Sequence, residues 1–119
     1  MMRVVSLALG AGVLAASLTV AAQPIGNVEA GREKSQACIA CHGAVGASDN
    51  VAFPMLAGQH ADYLYHALKA YKNGDRQNAI MNGQAAGLSD EDMRDLAAFY
   101  AAQTPVLSTP QRGSVNSAE

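Results

Sequence analysis

The chain has 119 residues, with eight Lys or Arg, ten Asp or Glu, a formal charge of −2, and two Phe and four Tyr but no Trp. That length allows one small domain, and the weak, unclustered acidity excludes nucleic acid as a partner, which needs a basic face. A domain this small buries a modest share of its surface and is marginal without help, so with few aromatic side chains an added apolar group is expected in the core.

In chain order, Met1-Met2-Arg3 carries one positive charge, and "VVSLALGAGVLAASLTV" runs from Val4 to Val20 without another. Val20 and Ala22 stand at the small-residue positions that precede a signal-peptidase cut. Residues 1–22 thus have the basic tip, apolar run and small-residue exit of a cleaved secretory signal. A retained membrane anchor is the rival reading, but the apolar run falls at or below the short limit for a spanning helix. Cleavage after Ala22 leaves 97 residues from Gln23, with seven bases against ten acids and a charge of −3.

The first helix is expected over "VEAGREKSQAC", with Asn27 as N-cap and Glu29 in its first turn. Gly31 inside it costs about 1 kcal/mol relative to Ala; it is either a tolerated surface glycine or a point of close approach by another helix. Residues 42–58 are rich in Gly, Asp, Asn and Pro and predict a loop. In "HADYLYHALKAYKNG", Leu64, Ala67, Leu68 and Tyr71 recur at i, i+3, i+4 and i+7, an amphipathic helix that Gly74 ends. Residues 75–88 predict a second loop. Ser89-Asp90-Glu91-Asp92 then opens the last helix with a capping box, and Met93, Leu96, Ala97 and Tyr100 form its stripe beside Phe99. The expected domain spans 23–104 and the polar segment 105–119 is a flexible tail. The fold class is all-α, three main helices and two long loops, and loops of that length usually wrap something functional.

The chemistry-bearing motif is Cys38-Ile39-Ala40-Cys41-His42. Zinc needs four ligands in a closed site; this motif offers at most three, on adjacent positions 41 and 42 that suit one ion poorly. Thiol–disulfide exchange favours cysteines at a helix start near a βαβ pattern, whereas these end a helix and no strands are evident. A structural disulfide here would close a tiny loop and gain little. Covalent haem uses every residue of the motif: two thiols three positions apart form thioethers to one porphyrin edge, and the following histidine becomes an axial ligand. If His42 is one ligand, Met81 in the second loop is the best placed to reach the other face as a thioether. Met55 follows His42 too closely, Met93 lies on a core stripe, and His60 and His66 belong to the second helix.

These residues resemble class I c-type cytochromes, and more closely one half of the bacterial periplasmic diheme cytochromes c or their small monohaem relatives. The resemblance runs from about Glu29 to Gln103, on "AGREKSQACIACHG", "FPMLAGQ", "YLYHALKAYKNGDR", "IMNGQAAGLSDEDM" and "LAAFYAAQ". It implies a small class I cytochrome c fold around one covalent haem c. It assigns Cys38 and Cys41 to thioethers and His42 and Met81 to the axial iron positions. It also implies that the Pro54 carbonyl accepts the His42 ring N–H, that Leu56 packs on the ring, and that Gly31 lies where the first helix crosses the last beside Phe99. Gln59, Tyr63 and Arg76 resemble positions near the haem edge. The diheme relatives carry a second C-x-x-C-H, and this chain has no third cysteine, so one haem is expected.

The function so implied is a periplasmic single-electron carrier and not an enzyme, since His42 and Met81 leave no open iron site. The alternative is a haem c electron-transfer subunit of a larger periplasmic oxidoreductase complex. Expected partners are redox proteins met transiently, near small residues such as Ala44, Val45 and Gly46. No stable membrane insertion is expected after cleavage, and a monomer is favoured.

Overall fold

The computed structural model describes residues 25–107. The expected secretory signal, 1–22, and residues 108–119 of the expected tail 105–119 lie outside the described residues. Five helices follow one another: α1 Val28–Lys34, α2 Gln36–His42, α3 Ala61–Asn73, α4 Ala79–Ala86 and α5 Asp90–Ala101. Among the described residues there is no strand, and no helix is long and apolar enough to cross a membrane.

The three expected helical regions are present, with two refinements. The first is divided at Ser35, which is almost fully buried and turns its hydroxyl back onto the Arg32 carbonyl at 2.7 Å. A side chain that bonds the preceding turn competes with the helical ladder, so α1 ends there and α2 carries the cysteines in a new helix. The second refinement is α4, inside the expected second loop. Its sequence, "AIMNGQAA", has little periodic stripe, and it is held instead by polar groups at its start. The Asn78 side chain accepts from the Ile80 and Met81 amides at 3.1 and 3.0 Å, while Asn82 Nδ2 donates to the Tyr71 and Arg76 carbonyls at 2.6 and 2.9 Å.

Helix α5 is the centre of the core, buried from Met93 through Tyr100 except for Arg94. Its start is fixed by the expected capping box: Ser89 Oγ accepts from the Asp92 amide at 3.0 Å, and an Asp92 carboxylate oxygen accepts from the Ser89 amide at 2.9 Å. Leu64 and Tyr65 of α3 join it, and Ile25, Val28, Leu56 and Leu68 pack around them. The Tyr65 hydroxyl donates to Asp90 at 2.6 Å. On the other side α1 crosses α5 with almost no space between backbones: a Cβ on Gly31 would lie 2.0 Å from the Asp95 carbonyl oxygen and 2.7 Å from the Phe99 Cβ.

Beside that crossing sits the buried carboxylate of Asp95. It accepts from the Asn27 amide at 2.7 Å and from Lys34 Nζ at 2.6 Å, and the same ammonium reaches Asp92 at 2.9 Å. The Lys34 hydrogen bond, seconded by the Asn27 amide, holds Asp95 below its ordinary value. Lys34, together with Ser89, holds Asp92 down to about 2. Both carboxyls are therefore more acidic folded than unfolded. Their contribution to stability is complete above the ordinary carboxylate range and disappears as pH falls through the folded values. The thermal midpoint is accordingly expected to fall between pH 5 and about pH 2. In Asp95→Asn the midpoint at pH 7 is already lower and the acid decline shallower, as circular dichroism melts at several pH values would measure.

The long segment 43–60 has no helix, yet it is pinned. Gly46, at φ +80°, turns its carbonyl to accept from the Leu56 and Ala57 amides at 2.8 and 3.1 Å. The Gly58 amide donates to the Tyr100 carbonyl at 2.9 Å. These bonds fold the loop against α5 and close one side of a cavity.

Candidate functional site

Cys38 and Cys41 stand three apart on α2, so their side chains share one helix face. Both are half-buried, neither is bonded to the other, and both line a cavity of about 510 Å³. Burial pushes the Cys38 thiol above its ordinary value, the opposite of what an exchanging thiolate needs. Among the described residues no three His, Cys, Asp or Glu side chains are grouped to hold a metal ion.

His42, the last residue of α2, is buried, at 7% exposure. Its Nδ1 lies 2.9 Å from the Pro54 carbonyl oxygen. A carbonyl can only accept, so Nδ1 carries the proton and donates. The neutral imidazole then has its lone pair on Nε2. Phe53 meets the His42 ring edge-on, with centroids 6.4 Å apart, and limits its rotation from the side. The residue is thereby set as a one-directional nitrogen ligand, with its tautomer and orientation supplied by the pinned loop.

Across the chain, Met81 lines the same cavity from the first turn of α4. Its place on a helix, and not in a loop, follows from the Asn78 cap, which bonds the Met81 amide itself. The cavity thus brings together Cys38, Cys41, His42, Pro54, Leu56 and Met81. Gln59, Tyr63 and Arg76 line it too, and the Arg76 guanidinium stacks 4.8 Å from the Tyr71 ring centroid. Met55 is a lining residue at 37% exposure. Met93, at 3%, belongs to the core, and His60 and His66 are exposed. Ala44 and Val45 are exposed as well, but Gly46 is buried under the loop it pins and presents no surface.

Several cavity residues have no local motif to mark them. Leu64, Leu68, Leu96, Ala97 and Tyr100 form much of its apolar lining. Their stripes along α3 and α5 predicted burial, and the structure shows that part of that burial faces a cavity. Leu107 lines the mouth at 71% exposure.

The volume lies within the range of cofactor sites. Its apolar lining suits a large flat macrocycle, and the donors it holds are two thiols, one imidazole and a thioether. That set fits a haem: sulfur for covalent attachment, and nitrogen and thioether for low-spin iron.

A family model described as cytochrome c matches residues 28–102. Cytochrome c-554(548) of Halomonas halodenitrificans is 44% identical over 81 residues, which cover 66% of this chain and 98% of that protein. The thiosulfate dehydrogenase electron acceptor of Thiomonas intermedia is 38% identical over 107 residues, 88% of this chain and 46% of that one. Reduced recombinant cytochrome c4 from Pseudomonas stutzeri superposes with a TM-score of 0.64 at 39% identity, over 66% of this chain and 46% of that one. The chain therefore spans nearly all of the Halomonas protein and about half the length of the other two.

Proposed function

Because the chain belongs to the cytochrome c family, whose members transfer electrons and are not enzymes, we propose that it is a periplasmic carrier of single electrons on one haem c, joined to Cys38 and Cys41 and ligated by His42 and Met81. The observation that carries this reading is the convergence of those four side chains on one cavity, with the His42 ring already oriented by Pro54.

The haem, when bound, supplies an iron that alternates between ferric and ferrous states. The protein's part is to hold that iron still and dry. Cys38 and Cys41 would hold the group covalently to α2. His42 presents Nε2 in a single tautomer, and Asn78 fixes the backbone from which Met81 offers its sulfur. Leu64, Leu68 and Leu96 exclude water from the walls, which favours the state of lower charge. With His42 and Met81 both holding the iron, no site would be left for substrate and little rearrangement would accompany each electron. Export follows from residues 1–22, and redox proteins are the partners. The name of the Thiomonas relative favours a second reading, in which the donor is a dehydrogenase and the chain its partner in a larger assembly.

The test is maturation in a host with c-haem assembly, followed by haem staining of a denaturing gel. Wild-type protein is expected to keep its haem. Cys38→Ala with Cys41→Ala is expected to lose all gel-stable haem, a drop of at least tenfold in stain. Equal staining of that double variant would remove the attachment role.

A further inference from the structure

One buried polar group in the cavity wall is left over by this account. Among the described residues the Tyr100 hydroxyl has no hydrogen-bond partner, although Tyr100 is only 3% exposed. The side chain lines the cavity together with Cys38, and the hydroxyl lies within reach of both the Cys38 thiol and the Ser35 hydroxyl. Ser35 commits its own proton to the Arg32 carbonyl at 2.7 Å. An unpaired buried hydroxyl costs about 1–3 kcal/mol, and a phenylalanine would fill the same space without that cost.

Attachment changes what Cys38 can accept. A thiol S–H competes as a donor, but when it adds across a vinyl double bond the sulfur gains a carbon and its proton passes to the neighbouring carbon. No oxidant is needed. The resulting thioether has no proton and is an acceptor only, so the adjacent hydroxyl becomes the donor that fits it. We propose that Tyr100 is a positioning residue whose hydroxyl donates to the Cys38 thioether sulfur and thereby raises the reduction potential of the attached haem. The inference rests on the haem reading above.

The sign follows from charge. The positive end of the O–H dipole would point at the sulfur that joins the haem, and the oxidised form carries one more positive charge than the reduced form. The donor therefore disfavours oxidation, as hydrogen bonds to the ligand shell of a redox centre do. Sulfur is a weak acceptor, so the effect is modest.

The experiment compares wild type, Tyr100→Phe and Ser35→Ala, all matured with haem, in a spectroscopic redox titration. Tyr100→Phe keeps the ring and is expected to keep its gel-stable haem. Its ferric-to-ferrous ratio at fixed ambient potential is expected to rise about threefold, roughly 30 mV at 59 mV per tenfold for one electron. The carbon–sulfur stretching bands in the resonance Raman spectrum are expected to shift in heavy water for wild type and not for Tyr100→Phe. An unchanged potential with no such shift would make Tyr100 a packing residue and overturn the proposal, whatever happens to the melting temperature. So would a Ser35→Ala variant that reproduces the Tyr100→Phe titration, because the hydroxyl would then be serving Ser35. A wild-type chain without gel-stable haem overturns it together with the reading beneath it, and staining identifies that case before any potential is measured.

Discussion

Met81→Ala is expected to leave a folded, haem-bearing protein that has lost its carrier properties. The weak sulfur-to-iron band at the red end of the oxidised spectrum disappears. The ferric form takes up added imidazole, and the ferric-to-ferrous ratio at fixed potential rises at least about a hundredfold, roughly 120 mV at 59 mV per tenfold. Folding survives because α4 is held by Asn78 and Asn82, whose bonds to Met81 and Tyr71 use backbone groups and not the methionine side chain. The other two methionines in the described residues make opposite controls. Met93→Ala opens a hole in the core at a residue 3% exposed, costing about 2–5 kcal/mol while the red band remains. Met55→Ala, at the cavity rim, is expected to change neither stability nor band by much. A red band that vanishes with Met55 and persists without Met81 would exchange their roles.

Gly31→Ala is expected to be strongly destabilising. The added carbon would stand 2.0 Å from the Asp95 carbonyl oxygen and 2.6 Å from its carbon. Those are backbone atoms of the best-buried helix, so α1 must move away, and Asn27 and Lys34 must leave Asp95 with it. Overpacking typically costs 1–3 kcal/mol and occasionally more; with the carboxylate's partners also disturbed, about 3 kcal/mol is expected. For a domain this size that lowers the melting temperature by roughly 15 °C. Gly83→Ala is the matched control. It lies within α4, an added Cβ meets nothing within 4 Å, and alanine there should raise stability by about 0.5–1 kcal/mol. Thermal melts of the two variants that moved in the same direction would break the helix-crossing argument.

The parts of the molecule legible in its sequence are those with local physical causes. The capping box at Ser89, the stripe of α5, the Gly74 stop and the C-x-x-C-H run each depend on residues within a few positions of one another. Gly31 could be suspected from its cost inside a helix, but only the crossing with α5 explains it. Helix α4 has no apolar period to mark it, because Asn78 holds it by accepting from the Ile80 and Met81 amides and Asn82 by donating to the Tyr71 and Arg76 carbonyls. The break at Ser35 was hidden for a similar reason, since one hydroxyl turned back on the preceding turn has no compositional mark. Tyr100 is the instructive case. Its place on the stripe predicted burial, but a stripe does not say whether the buried atom meets carbon or an acceptor yet to arrive. That depends on the tertiary neighbourhood of Cys38, 62 positions away in the sequence.

The central claim is that this chain carries one haem, bonded through both cysteines. The intact mass of the matured protein, taken under denaturing conditions that strip any non-covalent group, tests it most directly. The expected mass is that of the processed chain plus one haem, with no hydrogens lost from the cysteines. A bare chain, or one lighter by the two hydrogens of a Cys38–Cys41 disulfide, would contradict it and return the motif to thiol chemistry.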